Sequence, residues 1–155
     1  MSALRTIFRY WLLILLAAVL LQIAFAGFGA FDVADKLSSE GTSVDEDSFN
    51  DSWGLHTGFG YLIFLGAIVT FLLALAARVG RQRVLHALGI VGLVVVQILL
   101  AWFGYEVPVI GALHPINAFL ILGAVAALTV REWRGDRMMA RSAAAPAATP
   151  PAPEP

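Results

Sequence analysis

Apolar residues in this chain gather into four blocks, 7–29, 53–77, 84–105 and 109–130, with polar residues crowded between and beyond them. Within each block the apolar positions are continuous and show no period-two alternation, which argues against barrel strands. Each block is long enough to cross a hydrocarbon layer, which takes roughly 20 helical residues. Backbone groups inside a bilayer must pair within their own segment, so the four blocks are predicted to be helices. Pro115 falls in the first turns of the fourth block, where proline is tolerated. The pattern predicts an all-α protein, an integral membrane four-helix bundle.

The blocks are also related to one another. LLQIAFAGFGAF (20–31) returns as VVQILLAWFGYE (95–106), and GLHTGFGYLIFL (54–65) returns as ALHPINAFLILG (112–123). The alignment pairs Gln22 with Gln97, Gly29 with Gly104, His56 with His114 and Gly60 with Ala118. Two repeated helical hairpins, each with one histidine at the same place, are expected to set two imidazoles against each other in a pseudo-symmetric core.

Charge then sets the orientation. Of the ten Lys and Arg residues, all but Lys36 fall before or at the very start of the first block, between the second and third, or after the fourth. Under the positive-inside rule both termini are cytoplasmic, and the expected location is a bacterial cytoplasmic (inner) membrane. The segment 30–52 becomes an external loop, acidic through Asp32, Asp35, Glu40, Asp45, Glu46, Asp47 and Asp51. Its patch at 33–37 suggests either a short interfacial helix or a solvated linker, and the linker is the expectation. Residues 142–155, mostly alanine and proline, read as a disordered cytoplasmic tail after a transmembrane domain of 1–141. Arg5, Arg9 and the Ala24-Phe25-Ala26 run also resemble a secretory signal. Retention of the first helix is expected instead, because the repeat continues through that point.

Composition narrows the chemistry. The chain is 59% apolar and 14% charged, and it has no cysteine. Thiolate zinc sites, iron–sulfur clusters and CxxCH-attached haem are therefore excluded. Nothing in it suggests nucleic-acid binding, and no catalytic motif is present. What remains is the pair His56 and His114, both expected near the outer ends of parallel helices. Haem iron accepts two axial histidines, and helix bundles hold cofactors between facing helices. Gly60 and Ala118, one turn deeper, are expected to leave room for a flat macrocycle, as is Gly111. Phe59, Tyr61, Phe64, Trp102, Phe103 and Phe119 are candidate walls, against the plainer reading of packing and interfacial aromatics that also covers Trp11, Trp53 and Trp133. Gln22 and Gln97 are expected to bond each other, helix backbones or an imidazole Nδ1. Trp53, Asn50 and Asn117 are candidates to meet the haem edge, since Lys36 is the one external cation. His86, whose repeat partner is Trp11, is expected to be an interfacial residue outside the site.

The stretch QILLAWFGYEVPVIGALHPINAFLIL (97–122) resembles the last two helices of a half of heme A synthase, and HTGFGYL (56–62) is similar to the histidine-bearing second helix of that half. The resemblance implies a four-helix haem scaffold with His56 and His114 as ligands. It also looks like uncharacterised small four-helix bacterial membrane proteins with this histidine pattern. The chain holds one such half, and Asp51-Ser52-Trp53-Gly54-Leu55 before His56 lacks the family's glutamate and cysteines. The oxygenation chemistry is therefore not carried over. The expected function is haem b binding for one-electron transfer or haem handling, with a membrane quinone or redox complex as partner and a homodimer as the assembly. A cofactor-free accessory or scaffold subunit is the alternative. Zinc held by the histidines and loop carboxylates is a third reading.

Overall fold

In the computed structural model, residues 2–40 and 43–144 are described, with side chains through 39 and over 43–135. The expected tail beyond 144 lies outside the described residues. Helix α1 spans Ala3–Glu40, α2 Glu46–Ala76 and α3 Arg81–Glu106. A single turn, α4 (Pro108–Gly111), leads into α5, Leu113–Ala144. Four of these helices are long and apolar enough to cross a membrane, and the chain is a multi-pass membrane helix bundle.

Each long helix turns a narrow stripe inward. Buried positions are Phe8, Leu12, Leu15 and Val19 on α1, and Ile63, Ala67, Thr70 and Ala74 on α2. On α3 they are Ala87, Ile90 and Val94, and on α5 Ile121, Val125, Leu128 and Glu132. Steps of three and four residues make a heptad seam, the signature of helices packed at a shallow angle. The outward positions are just as apolar: Ile14, Leu62, Leu72, Leu88 and Leu120 are all exposed. A soluble protein would carry polar residues there, whereas lipid-facing helices keep them apolar.

Neighbours in the bundle are α1–α2, α2–α3, α3–α5 and α5–α1, while the diagonal pairs α1–α3 and α2–α5 do not come together. One end carries the arginines. There Glu132, with no exposed surface, accepts from Arg5 Nε at 2.6 Å and faces Arg83 Nε at 3.1 Å, joining α5 to α1 and α3. Arg9 stacks over Trp133 at 4.2 Å. Trp11 Nε1 donates to Gly66 O and Thr70 Oγ1 at 3.2 and 3.0 Å, which makes it a link between α1 and α2. The α2–α3 turn uses two positive φ values, Arg78 (φ 50°) just past the end of α2 and Gly80 (φ 97°, ψ 151°) at the start of α3, the second a conformation open to glycine.

The opposite end departs from expectation. The segment 30–52 is not a linker: α1 continues to Glu40 and α2 begins at Glu46. Asp32 and Lys36 pair one turn apart at 2.9 Å, and Lys36 Nζ also donates to Ser52 Oγ (2.9 Å) and Ser48 O (3.1 Å) on α2. Ser52 Oγ in turn donates to Asp32 Oδ2 at 2.6 Å. Asp45 caps α2 by accepting from Ser48 N–H at 2.7 Å. The acidic segment is thus a helical extension of the bundle, fastened across α1 and α2.

Candidate functional site

Toward this second end the heptad seam turns polar. Gln22 follows Val19 on α1, Gln97 follows Val94 on α3, and His56 and His114 precede the apolar seams of α2 and α5. His56 is the eleventh residue of α2 and His114 the second of α5, a register set by the longer α2. Although the backbones of α2 and α5 are diagonal and do not approach each other, their two half-buried imidazole rings meet across the bundle, with centroids 6.0 Å apart.

Both rings are oriented in the same way. His56 Nδ1 lies 3.3 Å from the backbone carbonyl of Gln22, and His114 Nδ1 lies 3.1 Å from that of Gln97. A carbonyl can only accept, so each Nδ1 carries the proton and each Nε2 is left with its lone pair. A helical carbonyl has a second lone pair beyond its i+4 partner, which is why a mid-helix residue can do this. Such bonds from the distal nitrogen to a carbonyl commonly orient metal-binding histidines.

The side chain of Gln22 makes one of the expected bonds, to a helix backbone, and that of Gln97 takes a partner outside the expected set. Gln22 Nε2 donates to His56 O at 2.7 Å, while Gln97 Oε1 accepts from Asn117 Nδ2 at 2.7 Å. Asn117, nearly fully buried, also reaches Leu93 O at 2.9 Å. Gly60 lies against the Gln22 amide. A Cβ there would stand 3.1 Å from Gln22 Nε2, so its lack of a side chain admits that amide. Gly111 likewise touches Gly104, whose own Cβ would meet Gly111 Cα at 2.7 Å. Gly29, the repeat partner of Gly104, has the same closeness: a Cβ there would meet Ser52 O at 2.8 Å. Ala118 is half-buried one turn below His114.

Most of the expected aromatic walls face outward. Tyr61, Trp102, Phe103 and Phe119 are well exposed, Trp102 at 70%, and Trp102 stacks on Phe103 instead. Phe59 packs edge-on against Phe25 at 5.2 Å, and Phe64 leans on the apolar core. The aromatic that borders the pair is Trp53, edge-on to His56 at 5.7 Å. Its Nε1 is buried with no hydrogen-bond partner among the described residues, as is Gln22 Oε1. Asn50 is exposed. His86 lies in the first turns of α3 at the arginine end, eleven residues and about 16 Å along the helix from Gln97.

These residues fit a metal that needs two protein ligands. Two metal–nitrogen bonds of about 2 Å, plus about 1.1 Å from each nitrogen to its ring centre, put two axial imidazoles about 6 Å apart. The observed centroids stand at that spacing. The unpartnered Trp53 Nε1 is a donor of the kind a haem carboxylate would accept from, whereas Lys36 is already held by Asp32 and Ser52. The site suits free zinc poorly, because zinc asks for three or four protein ligands. Among the described residues, no group of three or more His, Cys, Asp or Glu side chains comes together.

A family model described as a family of unknown function (DUF6220) matches residues 22–104, a stretch that holds Gln22, His56 and Gln97. No curated protein and no solved structure matches the chain.

Proposed function

The chain belongs to this family of unknown function, so its role has to come from its own residues, and we propose that it is a membrane haem b-binding protein with His56 and His114 as axial ligands. The single observation that carries this is the matched pair of Nδ1–H imidazoles, 6.0 Å apart across a diagonal of the bundle. Two axial histidines would leave iron without an open position, which suits one-electron transfer or haem handling better than bond-making at the metal. The likeness to one half of heme A synthase belongs to this proposal, without its oxygenation chemistry. So do the cytoplasmic termini, the histidine pair near the outer face of a bacterial inner membrane, a quinone or redox complex as electron partner, and a homodimer.

A cofactor-free accessory or scaffold subunit is the second reading, and a specific feature favours it. Both imidazoles, Gln22 Nε2, Gln97 Oε1 and Asn117 are bonded within the bundle, so the polar seam can be a register device between helices. On the described residues alone this reading asks for less, since it needs nothing beyond the chain.

Haem occupancy separates the two. The protein is purified in detergent from cells supplied with haem, and reduced-minus-oxidised spectra are recorded for wild type, His56→Ala, His114→Ala and His86→Ala. The haem reading expects a b-type spectrum that is lost in both site variants and kept in His86→Ala. A wild type without haem supports the scaffold reading and ends the first, whereas full occupancy in both His56→Ala and His114→Ala ends the assignment of these two ligands.

A further inference from the structure

At the arginine end, far from the histidine pair, a cleft of about 570 Å³ opens between the α2–α3 turn and the stretch 131–135 of α5. Val79, Gly80, Gln82 and the arginines Arg81, Arg83, Arg131 and Arg134 line it, with Gly135 beside Arg83. Arg83 is fixed in place. Its Nε faces Glu132, its Nη1 donates to Val79 O at 3.0 Å, and a Cβ on Gly135 would stand 3.2 Å from its Nη2. Glu132 is shared by Arg5 and Arg83, so it neutralises neither of the arms across the cleft. Arg81, Arg131 and Arg134 have no acidic partner among the described residues. The first turn of α3 also opens on this cleft, with no side chain capping its amides. Three guanidinium groups without an acidic partner among the described residues line one hollow beside the start of α3, an arrangement suited to phosphate oxygens.

We propose that this cleft binds the phosphate headgroup of an anionic phospholipid. The lipid source is favoured over a soluble phosphate by what borders the cleft. The turn lies where two spans leave the bilayer, and Leu75, Leu85, Leu88 and Val130 next to it are exposed apolar residues on the membrane side. A headgroup in the cleft would lay its acyl chains along them. Basic hollows between transmembrane helices at the interface are suited to such lipids. The site is independent of the histidine pair and of whether haem binds there.

The test uses full-length protein delipidated in a neutral detergent and titrated with cardiolipin, phosphatidylcholine or inorganic phosphate, with bound lipid counted by native mass spectrometry. Cardiolipin should be retained in preference to phosphatidylcholine. Arg131→Gln combined with Arg134→Gln, both exposed on α5, should weaken cardiolipin binding about 30-fold, from roughly a factor of five for each charge. Arg81→Gln on α3 should weaken it about fivefold. Arg78→Gln removes the same charge at the same end but does not line the cleft, and should leave binding within about twofold. Equal losses in Arg78→Gln and in the cleft variants would show attraction to bulk charge and overturn the proposal. Displacement of cardiolipin by millimolar phosphate would overturn the lipid assignment.

Discussion

At Gln22 and Gln97 the backbone, and not the amide side chain, orients the histidines. This could not be read from residue types, because every residue carries the same carbonyl. What the sequence did display was the pairing of each glutamine with a histidine in a repeat. Gly60 shows the converse: its smallness was legible, but the neighbour it accommodates was not, since Gln22 lies on another helix. The close approach at Gly29 makes a direct test. Gly29→Val should lower stability by about 1–3 kcal/mol through overpacking against Ser52, measured as thermal unfolding in detergent. Gly27→Val, with nothing within 4 Å of a new Cβ, should be close to neutral; similar losses in both would refute the assigned contact. At the other end, Glu132→Ala would strand Arg5 and Arg83 around a fully buried position. Loss of one partner of such a cluster costs about 3–5 kcal/mol, so the same assay should show a larger fall than for Gly29→Val.

At the scale of the helices, the four spans were legible because length and apolarity alone decide them in a bilayer. The heptad seam was not, because lipid-facing positions are as apolar as buried ones and no polar stripe marks the difference. The extension of α1 to Glu40 was also hidden. It rests on contacts made by Lys36 and Asp32 with Ser48 and Ser52, residues of the next helix, which the local stretch does not reveal. The start of α2 depends on Asp45, whose carboxylate is held below its ordinary value of 3.8 by the Ser48 backbone N–H. A depressed carboxyl stabilises its helix end above that value, and the contribution is lost as pH falls through the lower folded value. Asp45→Ala should therefore speed amide exchange over 46–49 at pH 7, with no change deeper in α2. Protection in that first turn equal to wild type would show that the cap is not needed.

Across the whole molecule, the polar residues sit at the two ends of one seam, acidic helices and histidines at one end and arginines at the other. The proposed sidedness rests on that asymmetry, and the absence of cysteine makes it easy to measure. Ser43→Cys in intact cells should react with a membrane-impermeant maleimide, whereas Gln82→Cys should react only after lysis; the reverse pattern would invert the proposed orientation. The central claim is that one metal takes both histidines and so has no vacant position. Its most direct measurement is the carbon monoxide response of the haem-loaded, dithionite-reduced protein. The wild-type spectrum should be unchanged by carbon monoxide, and whatever haem His56→Ala or His114→Ala retains should shift as a ligand position opens. Ready carbon monoxide binding by wild type, or a wild type that takes up no haem at all, would contradict it.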